Sequence, residues 1–421
     1  PTAAPTASPT AAPTTTATAT TTVFTAAQQG WDDEDLTTVF SIAAYGQYIA
    51  VPGGYILDRW GPKICSFYAG VFGATGYFLM FLQTKYQFSK SPVVMGLFFA
   101  MVGQGSVSLY FGALTTTLRN LPARYRGVVV GVIASAFGLS AAIFSQVYKL
   151  FNFHVSHFLL FMAITLACTS LGGVLFLKLV SEQSCEQEKE SLISQFQEPQ
   201  KSGRDLFKDW DYPCVCLIFA LGAGAGLMYI GEASPIAKAN EVGDVRNYTT
   251  VLSFSNAFGR LLVGFASDEM VRRFGWGRPP FFLFTSIMLI LSHGLLLVAQ
   301  KKLIWFGAIV TGLSYGGFFS IVPTYLSEKF GASVLGFNFG LSTMFLATSD
   351  IALTKMAAAL SQHAMKKNGQ PKVCQGLDCF QTTFYVTTAL GVVSAVLSLW
   401  MIRRELHQKE QKQKKERLLD L

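Results

Sequence analysis

One strongly basic side chain stands inside an apolar stretch of the sequence. Arg260 precedes Asp268 by eight residues, which places its guanidinium about 12 Å inside the end of a helix. A charge at such a depth normally faces a cavity or pairs with another group, and the planar guanidinium suits a carboxylate. Two interpretations are open: Arg260 binds a substrate carboxylate, or it pairs with Asp268 or with helix-end carbonyl groups.

Other polar side chains within apolar stretches could line a cavity together with Arg260. The candidates are Asn256, Gln47, Gln104, Gln146, Tyr315 and Asn338. Packing contacts are the competing interpretation for each, because hydrogen bonds between helices in a membrane average below about 1 kcal/mol. Glu232 and Asp350, near the predicted outer ends of their helices, could relay a proton or simply reach water.

A second group of residues has the chemistry of a latch. In the segment from Gly54 to Lys63, Gly54 would let a neighbouring helix approach closely and Gly61 would form a turn. The Asp58 carboxylate could accept hydrogen bonds from a helix N-terminus or pair with an arginine. Arg59 could pair with a carboxylate. The motif returns as Gly264-x-x-x-Asp268, and Phe137-Gly-Leu-Ser140 returns as Phe339-Gly-Leu-Ser342. Two matches at similar offsets indicate duplicated halves.

Several chemistries are not expected. No pair of CxxC motifs has zinc-site spacing, no Lys-Ser/Thr follows Gly222-x-Gly224-x-Gly226, and no nucleophile or acid pair has useful spacing. We therefore expect no metal site, no cofactor and no enzyme. The net charge of +8 comes from clusters between apolar runs and from the C-terminus, which orient a membrane protein rather than bind nucleic acid. Cys374 and Cys379 could form a disulfide in an outer loop or remain two thiols.

The elements that must position these residues are predicted to be membrane helices. The chain is 51% apolar and 14% charged, whereas soluble domains have about 25% charged residues. A spanning helix needs about 20 predominantly apolar residues. Eleven segments meet that requirement, approximately 36–56, 64–83, 93–118, 126–147, 157–180, 213–236, 247–267, 279–299, 303–326, 333–353 and 380–402.

These segments predict an all-α, multi-pass membrane protein made of two similar halves. The predicted divisions are a Pro/Thr/Ala segment (1–30), an N-terminal bundle (31–180), a cytosolic linker (181–211), a C-terminal bundle (212–404) and a charged cytosolic tail (405–421). Eleven of thirteen arginines fall on one side of this topology, and that side is the cytosol. The patterns do not distinguish the plasma membrane from a vacuolar membrane or another endomembrane.

The segment from Gly54 to Lys63 resembles the loop signature of the major facilitator superfamily. Arg126–Gln146, Ser255–Asp268, Gly312–Gly317 and Cys374–Phe380 are similar to the nodulin-like family of that superfamily. The resemblance covers residues 31 to 404 and implies two pseudo-symmetric bundles, the first expected helix being absent or unrecognisable in 1–30. It also implies a relation to monocarboxylate carriers, which have an arginine near the position of Arg260. Those carriers often have an acid where Asn256 stands.

The function expected from these features is secondary transport. A small organic solute, best a monocarboxylate or another small organic anion, would cross the bilayer by alternating access, with a proton as a candidate coupling ion and the chain as a monomer. The alternative is a transport-inactive membrane sensor or partner-binding protein with the carrier fold, which the absent first helix would favour. Substrate identity, direction and coupling ion are not predicted.

Overall fold

The secondary structure of the described residues is helical and contains no strand. The computed structural model describes residues 31, 33–151, 154–179, 200–369, 374–376 and 378–419, so the predicted segment 1–30 and linker residues 181–199 lie outside the described residues. The helices are α1 (Asp33–Tyr48), α2 (Val51–Tyr86), α3 (Pro92–Asn120), α4 (Arg126–Leu150), α5 (Val155–Phe176), α6 (Asp211–Gly231), α7 (Ala233–Ala239), α8 (Val245–Phe274), α9 (Pro279–Phe330), α10 (Leu335–Lys367) and α11 (Asp378–Leu419). The prediction of an all-α protein is confirmed.

Seven helical stretches of the described residues are long and apolar enough to cross a membrane. They are Thr38–Tyr86, Pro92–Asn120, Val155–Phe176, Asp211–Gly231, Pro279–Val298, Lys301–Phe330 and Asp378–Gln411. The first, with 49 residues, is long enough for two crossings, because one crossing takes about 20 residues. Large apolar side chains such as Phe176, Phe67 and Phe265 remain exposed, as lipid-facing residues do. The prediction of a multi-pass membrane protein is confirmed.

Two of the helical runs fold back on themselves. In α2, Gly61 has a φ of 84°, a left-handed conformation that glycine adopts without a steric penalty, and the chain reverses there. In α9, the Ser292 hydroxyl donates to the carbonyl of Gly307 at 2.9 Å, and the Ser314 hydroxyl donates to the carbonyl of Thr285 at 2.8 Å. These bonds join Pro279–Val298 to Lys301–Phe330 as an antiparallel pair.

Several predicted segments differ from the structure at their ends, and three of them show the reason. The segment 36–56 is wrong as a single helix, because α1 ends at Tyr48 and α2 begins at Val51. Predicted ends at 353 and 402 were set by the loss of apolar residues, yet α10 continues to Lys367 and α11 to Leu419. Hydropathy detects the part of a helix that lies in lipid, whereas the helix itself continues into water.

The two halves of the chain meet chiefly along two helix pairs, α2 with α10 and α4 with α8. One large hydrophobic core contains residues of both halves, such as Leu57 and Phe111 with Phe219 and Phe339. A smaller core around Tyr148 and Phe158 belongs to the first half alone. The bundles are therefore joined by a shared apolar surface, which polar contacts supplement at particular depths.

The first polar contact between the bundles is the Asp58 latch, formed by Gly54, Asp58, Gly336 and Phe337. The Asp58 carboxylate accepts the backbone N–H groups of Gly336 at 3.1 Å and Phe337 at 2.6 Å. These are the second and third residues of α10, whose N–H groups have no partner within the helix. A carboxylate at this position is also favoured by the helix dipole.

The second contact, the Asp268 latch, repeats this geometry with the bundles exchanged. The Asp268 carboxylate accepts the backbone N–H groups of Gly127 at 2.9 Å and Val128 at 2.8 Å, the second and third residues of α4. Asp268 also pairs with the buried Arg278 at 2.7 Å, and Arg278 in turn makes a bidentate contact with Glu328.

A glycine lets the helices approach closely at each latch. A Cβ added to Gly54 would overlap the carbonyl oxygen of Gly336, and a Cβ added to Gly264 would overlap that of Gly127. Arg59 and Lys63, the other charged residues of the predicted motif, are exposed. In this conformation the bundles are closed at the arginine-rich end of the molecule.

The end of the central linker is fixed to the second bundle at the arginine-rich end of the molecule, where the two latches also lie. Leu206, in the short 3-10 helix Gly203–Leu206, is fully buried, and the Lys201 amine pairs with Asp209 at 2.9 Å. Burial would raise the pKa of Asp209, but hydrogen bonds from Lys201 and from the backbone of Asp211 outweigh it and lower that pKa. Asp209 is therefore ionised at neutral pH and holds the linker in place.

Methyl groups at the two latch glycines should destabilise the closed conformation. We expect Gly54→Ala and Gly264→Ala to lower the melting temperature of the detergent-purified protein, at an overpacking cost of about 1–3 kcal/mol each. Gly172→Ala is the matched control, because a Cβ at this helical glycine has nothing within 4 Å. That substitution should leave the melting temperature unchanged or raise it slightly. Equal effects at all three positions would contradict the close approach.

Neutralising the two latch aspartates should open the same end of the molecule. In Asp58→Asn with Asp268→Asn, the charge-assisted bonds to the helix N-termini are lost, so the bundles should separate more often. Spin labels on cysteines replacing the exposed Lys63 and Arg272 would report the separation by pulsed electron resonance, and we expect a shift to longer distances. Glu241→Gln, at an exposed ion pair with Lys301, is the control. An unchanged distance distribution in the double variant would rule out a gating role.

Candidate functional site

A small cavity lies where the two bundles meet, and it contains the buried arginine. Its volume is ≈ 30 Å³, about the space of one water molecule. It is lined by Gln47, Tyr48, Val107, Tyr110, Phe111, Phe137, Arg260, Phe319, Phe339 and Thr343. A mainly apolar wall with a few polar groups is typical of a small-molecule site. A solute of several heavy atoms would enter this cavity only when the bundles separate.

Arg260 is the one cation in this lining, and it is held from both bundles. Its side chain is 4% exposed. Its Nε donates to Oδ1 of Asn256 at 3.1 Å, one turn earlier in α8, and its Nη1 donates to the carbonyl oxygen of Ala134 in α4 at 2.5 Å. Asp268, the partner considered from the sequence, is engaged instead by the N-terminus of α4 and by Arg278.

Aromatic rings cover one face of the guanidinium. The Cζ of Arg260 lies 5.0 Å from the ring centroid of Phe319 and 5.9 Å from that of Tyr315, within the range of a cation–π contact. Rings and carbonyl groups stabilise the charge without cancelling it. Within the described residues Arg260 has no carboxylate partner, so its charge is available to an anion.

The seven predicted site residues divide into three groups. Arg260 and Gln47 line the cavity. Asn256 and Tyr315 contact the side chain of Arg260 but are not part of the lining. The side-chain amide of Gln104 donates instead to the carbonyls of Gly46 at 2.7 Å and Ile49 at 2.6 Å. Those carbonyls lose their helical partners where α1 ends, so Gln104 stabilises the break.

The other two predicted residues lie away from the cavity lining. The side-chain amide of Asn338 donates to the carbonyl of Lys201 at 3.0 Å, and the main-chain carbonyl of Asn338 accepts the Tyr212 hydroxyl at 2.9 Å. Asn338 thus attaches the linker to α10. Gln146 is exposed on α4. A polar residue within an apolar stretch can satisfy the backbone or reach the surface as readily as it can line a cavity.

Sequence reasoning missed most of the aromatic lining, although one signal pointed to part of it. Phe137 and Phe339 are the first residues of the repeated Phe-Gly-Leu-Ser motif, and the structure brings both to the cavity. The repeat therefore marks equivalent positions of the two bundles. Tyr48 and Tyr110 carried no signal, because a tyrosine in a spanning helix more often packs or anchors at the membrane surface.

The remaining polar residues lie elsewhere in the second bundle. Glu232 stands at the break between α6 and α7, and Asp350 accepts from the Thr354 hydroxyl at 3.3 Å. Asp350 lies within α10 rather than near its outer end, because that helix continues to Lys367. His293 is fully buried, with Nδ1 2.8 Å from the Thr387 hydroxyl. Cys374 and Cys379 form a disulfide.

A larger cavity opens at the arginine-rich end of the second bundle, but its charges are already paired. Its volume is ≈ 210 Å³, and its lining includes Asp211, Arg278, Glu328 and Lys329. Arg278 pairs with Glu328 and with Asp268, and Lys329 pairs with Asp211 at 2.8 Å. A site whose cations are neutralised by the protein offers less to a charged solute than the cavity at Arg260.

Comparison with known proteins identifies the fold. The family model described as the Major Facilitator Superfamily matches residues 7–353. The proton:xylose symporter XylE has a similar structure, with a TM-score of 0.65, 12% identity and 92% of each chain covered. The human organic anion transporter MFSD10 has a TM-score of 0.60 at 14% identity, over 89% of this chain and 88% of that one.

Curated relatives extend the comparison at the level of sequence. The probable transporter MCH1 of Candida albicans is 23% identical over 389 residues, which cover 87% of this chain and 84% of the relative. The corresponding protein of Neurospora crassa is 23% identical over 86% of this chain and 81% of its own length. An uncharacterized transporter of Escherichia coli, YhjX, is 24% identical over 68% of this chain and 69% of its own. The chain belongs to the Major Facilitator Superfamily, and it is a transporter of that superfamily similar to the probable transporters named MCH1.

Proposed function

We propose that this chain is a secondary carrier of a small organic anion, best a monocarboxylate, and that it works by alternating access. The observation that carries the proposal is Arg260, a buried guanidinium between the bundles with no carboxylate partner among the described residues. Burying a charge in this environment costs free energy, and residues that carry such a charge usually mark a functional site. An anion that enters the cavity would supply the missing countercharge.

The aromatic lining supports a small, partly apolar substrate. Phe111, Phe137, Phe319 and Phe339 come from both halves, and they would contact an organic substituent while Arg260 contacts the carboxylate. The apolar rings keep bulk water away from Arg260, which strengthens an ion pair formed there. We place the chain in the nodulin-like branch on the sequence segments alone, and we propose that it acts as a monomer.

The Asp58 and Asp268 latches would be the gate of this carrier. Both lie at the end that the arginines assign to the cytosol, so the conformation described is closed on that side. Opening would break four bonds to helix N-termini and two glycine contacts. A coupling proton, if one is carried, would need an acid other than the residue at 256, and Glu232 and Asp350 are the candidates.

Transport by the purified full chain in liposomes is the direct test. Vesicles loaded with unlabelled pyruvate, L-lactate or acetate would be diluted into the same labelled compound, and xylose would serve as a neutral control. We expect saturable counterflow for at least one carboxylate and none for xylose. If no carboxylate moves faster than into protein-free vesicles, the carrier proposal fails and the transport-inactive sensor is favoured.

Arg260 should be required for recognition of the anion. In Arg260→Gln the charge-assisted hydrogen bond is lost, about 1.5–3 kcal/mol, so kcat/KM for the carboxylate should fall roughly 10- to 150-fold. Arg260→Lys should retain part of the activity, because the charge remains while the planar fork is lost. Arg246→Gln, at an exposed arginine on the opposite side, is the matched control and should match the unmodified protein. Unchanged kinetics in Arg260→Gln would remove this residue from the site.

A further inference from the structure

The hydroxyl of Tyr110 is a buried polar group to which no described residue forms a hydrogen bond. Tyr110 lies in α3, is 9% exposed and packs against Phe137 at a ring distance of 5.0 Å. Its Oη has no hydrogen bond within the part of the chain that the structure describes. Native proteins leave few such groups, and each one needs an explanation. The ring lines the same cavity as Arg260.

The other two tyrosines around Arg260 are already accounted for. The side chains of Tyr48 and Tyr315 interact with each other, and neither hydroxyl is among the buried polar groups that lack a hydrogen bond. Buried tyrosines usually find such a partner. Among the tyrosines near the guanidinium, Tyr110 thus offers a hydroxyl to whatever enters the cavity.

Tyr110 and Arg260 face the cavity from opposite bundles. Arg260 uses Nε for Asn256 and Nη1 for the carbonyl of Ala134, and within the described residues no hydrogen bond is present from its Nη2. One donor group from the first bundle and one from the second therefore meet at a single apolar cavity. A carboxylate has two oxygens with about four acceptor positions, so a single anion can accept from both.

We propose that Tyr110 is the second anchor of the anion site, where its hydroxyl donates to a carboxylate oxygen of the substrate while Arg260 binds the same carboxylate. The inference rests on the proposed transport of an organic anion and assigns a binding residue to that site. The bound anion bridges the two bundles through its own oxygens.

Tyr110→Phe is the decisive variant, because it removes one oxygen atom and no protein hydrogen bond. Without added carboxylate, its melting temperature should equal or exceed that of the unmodified protein. Titration of the detergent-purified full chain with pyruvate and with acetate should show a Kd raised roughly tenfold. In liposomes, KM for the transported carboxylate should rise by a similar factor with kcat nearly unchanged. Tyr148→Phe, a buried tyrosine in the other core of the same bundle, is the matched control and should change neither constant.

The outcomes separate this inference from the proposed function. If the unmodified protein binds and transports a carboxylate, and Tyr110→Phe does so with equal Kd and KM, the anchor is overturned while the carrier stands. That result would mean that the hydroxyl is satisfied by a water molecule rather than by substrate. If the unmodified protein neither binds nor transports pyruvate, L-lactate or acetate, both proposals are overturned. A tenfold loss in Tyr110→Phe and none in Tyr148→Phe supports the anchor.

Discussion

Each bundle contributes an aspartate that caps the N-terminus of a helix in the other bundle, and the closed arrangement depends on these two reciprocal contacts. Helix ends carry N–H groups that no residue of their own helix can accept, and lipid cannot accept them either. Asp58 and Asp268 resolve this problem for α10 and α4 with the same two bonds each. In the closed arrangement each of these helix ends is satisfied by the other bundle, so closure involves hydrogen bonds as well as apolar contact.

The latches also determine what lies deeper between the bundles. With α4 drawn against α8, the carbonyl of Ala134 reaches Arg260, and Thr343 on α10 reaches the carbonyl of Tyr48 at 3.1 Å. Phe137 and Phe339 then come from equivalent positions to one cavity. The duplicated sequence thus gives two equivalent contacts at the rim, whereas the center is asymmetric, because the arginine occurs in one half alone.

Much of the fold could be predicted from the sequence because lipid imposes simple rules. Apolar length located the spanning helices, the repeat located the two latches, and the cost of a buried charge drew attention to Arg260. The partners of these groups could not be predicted from the sequence. Gln104, Asn338 and Ala134 interact through main-chain carbonyls, and a main-chain group leaves no trace in residue type. The hydroxyl of Tyr110 shows the same limit, since its lack of a partner is a fact about the surroundings and not about the residue.

The polar contacts at the two latches and at Arg260 pair a side chain of one bundle with the main chain of the other. The partners of Asp58 are the amides of Gly336 and Phe337, those of Asp268 are the amides of Gly127 and Val128, and Arg260 reaches a carbonyl. Every residue except proline supplies the same amide. A change of side chain at Phe337, Val128 or Ala134 therefore leaves the bonding group itself in place, whereas Gly336 and Gly127 must stay small, because a Cβ at either would overlap the latch aspartate. Side-chain identity is thus required at the two aspartates, at Arg260 and at the latch glycines, and the main chain supplies the rest of each contact.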